Sequence, residues 1–360
     1  MKLVVAVIIG GVLLIGGCGR KPSLTELEKK QVSEITTDMK THCVGRYLID
    51  MPAVVSPIGT AKFDDVSVKA QAMTSEEFDR AMETREEKMK GTKSMMGYQF
   101  LYASGGVRSI ERTQYFISLG DVAEISDANR VIDVYKWDRG YQIKLNLEAT
   151  DFTKSKMRDA PTVKLMAVQN DVPEKTRIVF DLLERIQGRA DDVVPTEPGA
   201  CFFGGFLKGK TSGNETIDSS FLIPDKPDVW FSFESFTDLS ADDTLLQRVH
   251  SSEMRELFKA VDGRLIRSGT IALEGGLKAD EALMSGRTPA NNTIQGNLLS
   301  LEANYAGGPA TPYLLLDMKN GYPSELIESY DIKRASLTEG EAVGIWDKVS
   351  RSLRARPNAF

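Results

Sequence analysis

The sequence predicts an α+β protein of two similar domains, each a mainly antiparallel sheet covered by helices. Two observations carry this expectation. A cysteine leading into a short apolar, Gly-containing run occurs twice, as CVGRYLI from Cys43 and CFFGGFL from Cys201. After each occurrence the same order of elements follows: a strand-rich patch, a capped helix, further strands and a closing helix. The 360 residues, 41% of them hydrophobic and 27% charged, hold enough apolar material for two medium cores. The expected boundaries are 43–190 and 201–360. The stretch RADDVVPTEPGA (189–200) turns from charged to Pro-containing and contains the linker, 191–200.

Taken in order, the chain opens with one Lys ahead of an uncharged run from Leu3 to Gly17 and then Cys18. As a helix that run would reach only about 22 Å, short of the roughly 30 Å of bilayer hydrocarbon, so it reads as an export signal over 1–17. Ile15-Gly16-Gly17-Cys18 resembles the lipobox of bacterial lipoproteins, in which cleavage exposes the cysteine for acylation. Cys18 is therefore the expected lipidation site, and 18–42 the tether with a short helix. The expected location is the periplasm, on a membrane by this lipid only, the outer membrane in preference to the inner. Cys43 and Cys201 remain. In an oxidising compartment this pair closes in one way only, or else the two thiols are buried separately. A bridge over so long a loop would restrict the unfolded chain by at most about 5 kcal/mol.

In the first copy VSVKAQAM (66–73) alternates as a strand, and Thr74-Ser-Glu-Glu77 forms a capping box ahead of FDRAMETREEKMKG. VIDVYKWDRGYQIKLNLEAT (131–150) reads as a hairpin turning at Trp137 to Gly140, and EKTRIVFDLLERIQG carries the stripe Ile178, Val179, Leu182, Leu183, Ile186. In the second copy VWFSFESF (229–236) sets Val229, Phe231 and Phe233 on one face and Trp230 on the other. Ser240-Ala-Asp-Asp243 caps TLLQRVHSSEMRELFKAV, and LLSLEANYAGGPATPYLLLDM (298–318) is the second hairpin. Thr338-Glu-Gly-Glu341 starts a last helix whose core face carries Val343, Trp346, Val349 and Leu353.

One segment argues for nucleotide chemistry. Gly204 to Thr211, GGFLKGKT, satisfies the phosphate-loop pattern with Lys210, and YLLLD ending at Asp317 resembles its acidic strand. That chemistry needs a helix whose N-terminus opens at the lysine. SGNETIDSS after Thr211 starts none, and the first-copy counterpart is the plain strand GRYLID. Other chemistries lack their signatures. There is no GxSxG, HExxH or CxxC, and the only histidines are His42 and His250. Neighbours in a strand, His42 and Cys43 point to opposite faces, and His250 lies in a charged amphipathic helix. No catalytic residue, cofactor or metal ligand is expected. The net charge of -6 attracts neither nucleic acid nor an anionic membrane.

CVGRYLIDMP and PGACFFGGFL, with the lipobox, resemble the type VI secretion lipase-immunity family, periplasmic lipoproteins encoded beside family-four lipase effectors. The resemblance runs from Cys43 through nearly the whole chain. It includes RLIRSGTIALEGGLKADEAL (264–283), where Gly269, Gly275, Gly276 and Glu281 look like that family's C-terminal domain. It implies a non-enzymatic inhibitor whose two domains grip a cognate phospholipase 1:1 like the jaws of a clamp, blocking substrate access, with the two cysteines stapling jaw to jaw. An envelope scaffold without a toxin partner is the alternative. Trp137 and Arg139, displayed on a turn, suit an interface anchor, or else Trp137 folds back on its own sheet. Trp230 is a further candidate, as are Arg287, Asn291 and Asn292 in SGRTPANNTIQGN (285–297), a loop the resemblance does not match.

Overall fold

The computed structural model describes residues 24–211, 213–288, 291–323 and 332–360, without the side chains at 291 and 292. The expected signal segment and Cys18 lie outside these residues. The first half runs α1 (Glu26–Thr36), β1 (Met39–Val44), β2 (Tyr47–Pro52), β3 (Ser56–Phe63), β4 (Val66–Ala72), α2 (Ser75–Gly91), β5 (Leu101–Gly105), β6 (Thr113–Ser118), β7 (Asn129–Asp138), β8 (Tyr141–Thr150), α3 (Pro161–Lys164), α4 (Val172–Arg185) and β9 (Ile186–Gly188). The second runs β10 (Gly199–Phe202), β11 (Gly205–Lys208), β12 (Glu215–Ile223), β13 (Lys226–Phe236), α5 (Leu245–Val249), α6 (Ser252–Ala260), β14 (Arg264–Ala272), β15 (Lys278–Thr288), β16 (Asn291–Ala303), β17 (Tyr313–Asn320), α7 (Glu339–Ser350) and β18 (Arg354–Ala355).

Each half contributes six strands to a sheet, in the orders β5-β6-β7-β8-β4-β3 and β14-β15-β16-β17-β13-β12. Element for element these orders match, and so do the registers. Ser104, Phe116, Asp133, Asn146, Ser67 and Lys62 lie side by side across the first half. Ser268, Ala282, Ser300, Asp317, Ser232 and Ser220 do so across the second. Hydropathy patterning did not announce that the two units pair edge to edge. β3 and β12 are antiparallel from Ser56–Leu222 to Phe63–Glu215, fusing the halves into one 12-stranded sheet. An isolated β3 or β12 would expose a row of unpaired amides and carbonyls, and mutual pairing removes both edges.

The two Cys-led segments are hairpins and not single strands. Gly45-Arg46 turns β1 into β2, and Phe203-Gly204 turns β10 into β11, with Gly45 and Gly204 at positive φ, 56° and 69°. The hairpins meet through a Cys43–Cys201 disulfide with Cα atoms 5.7 Å apart and through reciprocal backbone bonds between Gly45 and Cys201 of 2.8 and 2.7 Å. Each is extended by the closing strand of the other half: β18 pairs with β2 and β9 with β11. The chain thereby closes into a ring. Arg46, from the first hairpin, reaches Glu215 of β12 in a two-point ion pair of 2.9 and 2.6 Å, both side chains buried.

One face of the sheet carries the core. Phe63, Leu145, Phe231 and Leu316 from the strands pack with Val179 of α4 and Trp346 of α7 in a single cluster spanning both halves. α1 belongs to this layer as well. It buries Val32 against α7 at Gly344, where a Cβ would stand 2.8 Å from Val32 Cγ2, so the expected tether is partly a packed helix. The second-copy helix also differs from expectation. Its cap is Thr244, which forms a capping box with Gln247, and not Ser240. Ser251 then caps a new helix, splitting the segment into α5 and α6.

Candidate protein-binding cleft

Among the described residues, helices cover the opposite face of the sheet at its two ends. Alternation puts Phe116 and Tyr135 there in the first half, where α2 buries Phe78 and Met82 against them. In the second half Ala282, Met284 and Leu298 take Leu245 and Val249 of α5 and Phe258 of α6. Between these helical walls the strands β8, β4, β3, β12, β13 and β17 form an open floor, five interstrand gaps of about 4.8 Å or roughly 24 Å across. Their inward residues are mostly apolar and their outward residues mostly polar, with Leu222, Trp230 and Phe236 as apolar exceptions on the outward face.

The floor is electrically divided. In the second half Asp218, Glu234 and Asp317 lie on adjacent strands, Asp218 directly opposite Glu234. Burial raises the Glu234 carboxyl above its ordinary range, and Asp218 and Asp317 raise it further. Burial also raises Asp317, against the pull of Ser300 and Lys319, and desolvation raises Asp218, the most exposed of the three. The first half shows lysines instead: Lys62, Lys69 and Lys144 on the floor, Lys62 paired with Asp65 at 2.7 Å and Lys144 with Asp133 at 2.8 Å. A concavity of about 980 Å³ between α2 and the sheet is lined by Arg80, Arg85 and Lys88 of the helix, with Asp121 and Asp133 on its other side. Lys69 and Glu234 each stand two residues beyond the corresponding serines Ser67 and Ser232, so the repeat places opposite charges at equivalent sites.

The candidate residues distribute unevenly. Trp137 is not displayed at the hairpin tip. It packs half-buried in the α2 cluster, donates Nε1–H to the Met73 carbonyl at 2.8 Å and carries Arg112 over its ring. Arg139 does occupy the tip, at φ 50°, donating to Gln187 Oε1 at 3.0 Å. Trp230 lies on the cleft floor, half-buried, with Nε1–H on the Tyr322 carbonyl and Lys319 Nζ 4.2 Å from its ring centre. Arg287 is exposed and donates to the Ala260 carbonyl at 2.9 Å. Asn291 and Asn292 open β16, their side chains outside the described residues. Sequence reading missed the acidic trio, whose only trace was polar residues at every second strand position, and the basic face of the α2 helix.

As the sequence implies, the GGFLKGKT segment does not form a phosphate loop. Gly205–Lys208 is strand β11, Gly209 turns the chain at φ 103°, and β12, not a helix, follows the exposed Lys210. Without a helix N-terminus there is no converging set of amides for phosphate. Asp317 serves in the floor of the cleft instead. Cys43 is bonded to Cys201, and His42 packs edge-on to Phe221 at 5.1 Å, burial pushing its pKa down to about 4. The disulfide leaves Cys43 no free thiol, and His42 is a neutral imidazole set against an aromatic ring. His250 caps the end of α5 and contacts Ser268 Oγ at 3.3 Å.

No curated protein sequence matches the chain. Among solved structures it resembles that of the Tle4–Tli4 complex, at TM-score 0.68 and 18% identity, covering 90% of this chain and 99% of the other. It also resembles the apo structure of the type VI secretion immunity protein TplEi from Pseudomonas aeruginosa, at TM-score 0.66 and 18% identity, covering 89% and 98%. TplEi complexed with an "L" peptide gives TM-score 0.61 at the same identity, covering 89% and 99%. These likenesses establish the fold. The family models for the N-terminal and C-terminal domains of Tle cognate immunity protein 4 match residues 40–189 and 193–358. Carrying both domains in order, the chain belongs to the Tle cognate immunity protein 4 family.

Proposed function

We propose that this protein is the immunity partner of a type VI secretion lipase effector, which it neutralises by seating part of the lipase in the cleft between α2 and the α5–α6 pair. The observation that carries the reading is the family match over both halves, together with a wide polar cleft where an enzyme would have a closed reactive pocket. Inhibition is by occupancy and needs no turnover. A grip by both walls at once would bury well over about 1,600 Å² and give a tight 1:1 complex.

The site of action is the periplasm, where a lipase meets phospholipid, and Cys18 holds the inhibitor at that surface by its acyl chains. A tether of this kind raises the local concentration of inhibitor where damage begins. Among the described residues no helix is long and apolar enough to cross a membrane. The test is co-expression, in the periplasm, of the mature chain with the lipase encoded beside its reading frame. Cells should survive, and the purified pair should run as a 1:1 complex. Cell death together with no complex would refute the proposal.

A further inference from the structure

From the charge division of the cleft we infer that the cleft dictates the direction of its occupant. The C-terminal half takes a lipase segment by a bulky apolar side chain and neighbouring Lys or Arg residues, while the acidic end of that segment lies toward α2. The inference rests on the immunity reading and specifies the partner chemistry of the same cleft.

An apolar socket of about 440 Å³ opens beside α6, lined by Met254, Leu257, Phe258, Val261, Met284 and Leu298. Its wall is underpacked. α2 buries Phe78 and Met82 in the sheet, whereas α6 buries none of its residues and leaves Leu257 52% exposed. Leu298 lies beside Lys319, and Lys319 beside Trp230, so socket and acidic trio are neighbours on one floor. Among the described residues Lys319 is the cation that acts on Glu234 and Asp317, and it is itself held over the Trp230 ring. A basic side chain from the partner supplies the counter-charge these carboxylates lack, and an apolar anchor fills the socket next to it. On the α2 side Arg80, Arg85 and Lys88 of the helix, with Lys69 on the floor, would repel the same basic end and attract an acidic one. A segment laid in the reverse direction meets like charges at both walls.

Because Lys69 and Glu234 are equivalent in the repeat, exchanging them as Lys69→Glu with Glu234→Lys cuts the charge contrast between the two halves of the floor while conserving composition and net charge. Binding of the purified neighbouring lipase, measured by calorimetry for the exchanged and unmodified chains with equal thermal midpoints, should weaken at least about tenfold. Leu257→Asp, on an exposed position, should weaken it by a similar factor through the socket. If the unmodified chain binds and both variants bind equally well, the directional cleft is overturned while the immunity reading stands. If the unmodified chain does not bind, the immunity reading itself fails. A loss in Leu257→Asp that traces to broken self-association of this chain would assign the socket to a second copy and likewise overturn the inference.

Discussion

The two halves share a strand order and a register, yet they hold their closing helices to the sheet by different chemistry. Tyr115 and Glu281 are equivalent, each one residue before the matched pair Phe116 and Ala282. In the first half Tyr115 meets Phe180 of α4 edge-on at 5.5 Å, beside the buried Val179, Leu182 and Leu183. In the second, buried Glu281 accepts from Trp346 Nε1 of α7 at 2.8 Å, from Arg351 at 2.7 Å and from Arg267 at 2.8 Å. Val179 and Trp346 stand seven residues into their helices, so one site is apolar in one half and part of a charged network in the other. The difference teaches that backbone order and pleat alternation define this architecture, while the chemistry between layers is free to diverge.

Glu281→Gln breaks the comparison most severely. It leaves Arg267 and Arg351 with the half-exposed Asp347 as their counter-charge, so the loss should approach but not exceed the about 3–5 kcal/mol of breaking a fully buried pair. The loss should appear in urea unfolding at pH 7. Burial works to raise the Glu281 pKa, but the hydrogen bonds from Arg351, Arg267 and Trp346 together outweigh it and hold the carboxyl below 4.5. A depressed carboxylate stabilises the fold fully above its unfolded pKa and loses that contribution as pH falls through the folded one. The gap between wild type and Glu281→Gln should therefore stay constant down to about pH 4.5 and close only below it. A gap that closes near neutrality would show that the network does not depend on the carboxylate charge.

Cys43→Ser sharpens the contrast by loosening the halves from one another. The bridge spans 158 positions, and its removal should cost about 2–4 kcal/mol in calorimetric unfolding. At neutral pH the β3–β12 pairing and the Arg46–Glu215 pair should still join the halves into one transition. In acid, where only the second half depends on an ionised Glu281, the unstapled chain should melt in two steps. One step at every pH would mean that the shared core alone couples the halves.

Much of this was legible in the chain itself. Thr74-Glu77 and Thr338-Glu341 form the expected capping boxes, the stripe Val179, Leu182, Leu183 is buried, and the turn at Arg139-Gly140 closes β7 and β8. Each of these is a local pattern, decided within about a dozen residues. What escaped notice depends on partners far away. β3, with Pro57 and Gly59, reads poorly as a strand because its pairing comes from β12 in the other half. The indole of Trp137 is satisfied by Met73, 64 residues upstream, so turn chemistry located the tip but not the side chain. The charge division of the cleft exists only after β4, β3, β12 and β13 are brought into register. Cys43 and Cys201 were identifiable as a pair by counting, although their reciprocal hairpins were not.

The smallest expected effect comes from the apolar seat. Tyr115→Leu removes an edge-to-face partner of Phe180 but keeps an apolar side chain of similar reach on β6, and such aromatic pairs contribute about 0.5–1.5 kcal/mol beyond their burial. Its cost should fall in that range and should not change between pH 4 and 8, since no titrating group faces the contact in the way that Glu281 faces α7. Urea unfolding at both ends of that range measures it. A loss as large as that of Glu281→Gln would mean that α4 hangs on this one contact and that the two seats are energetically alike. A small, pH-independent loss means that the first half spreads its helix seat over Val179, Leu182 and Leu183. Ordinary core packing would then hold α4 where the second half adds a carboxylate network of Glu281 and Asp347 to its packing, and acid would loosen the α7 side of the molecule first.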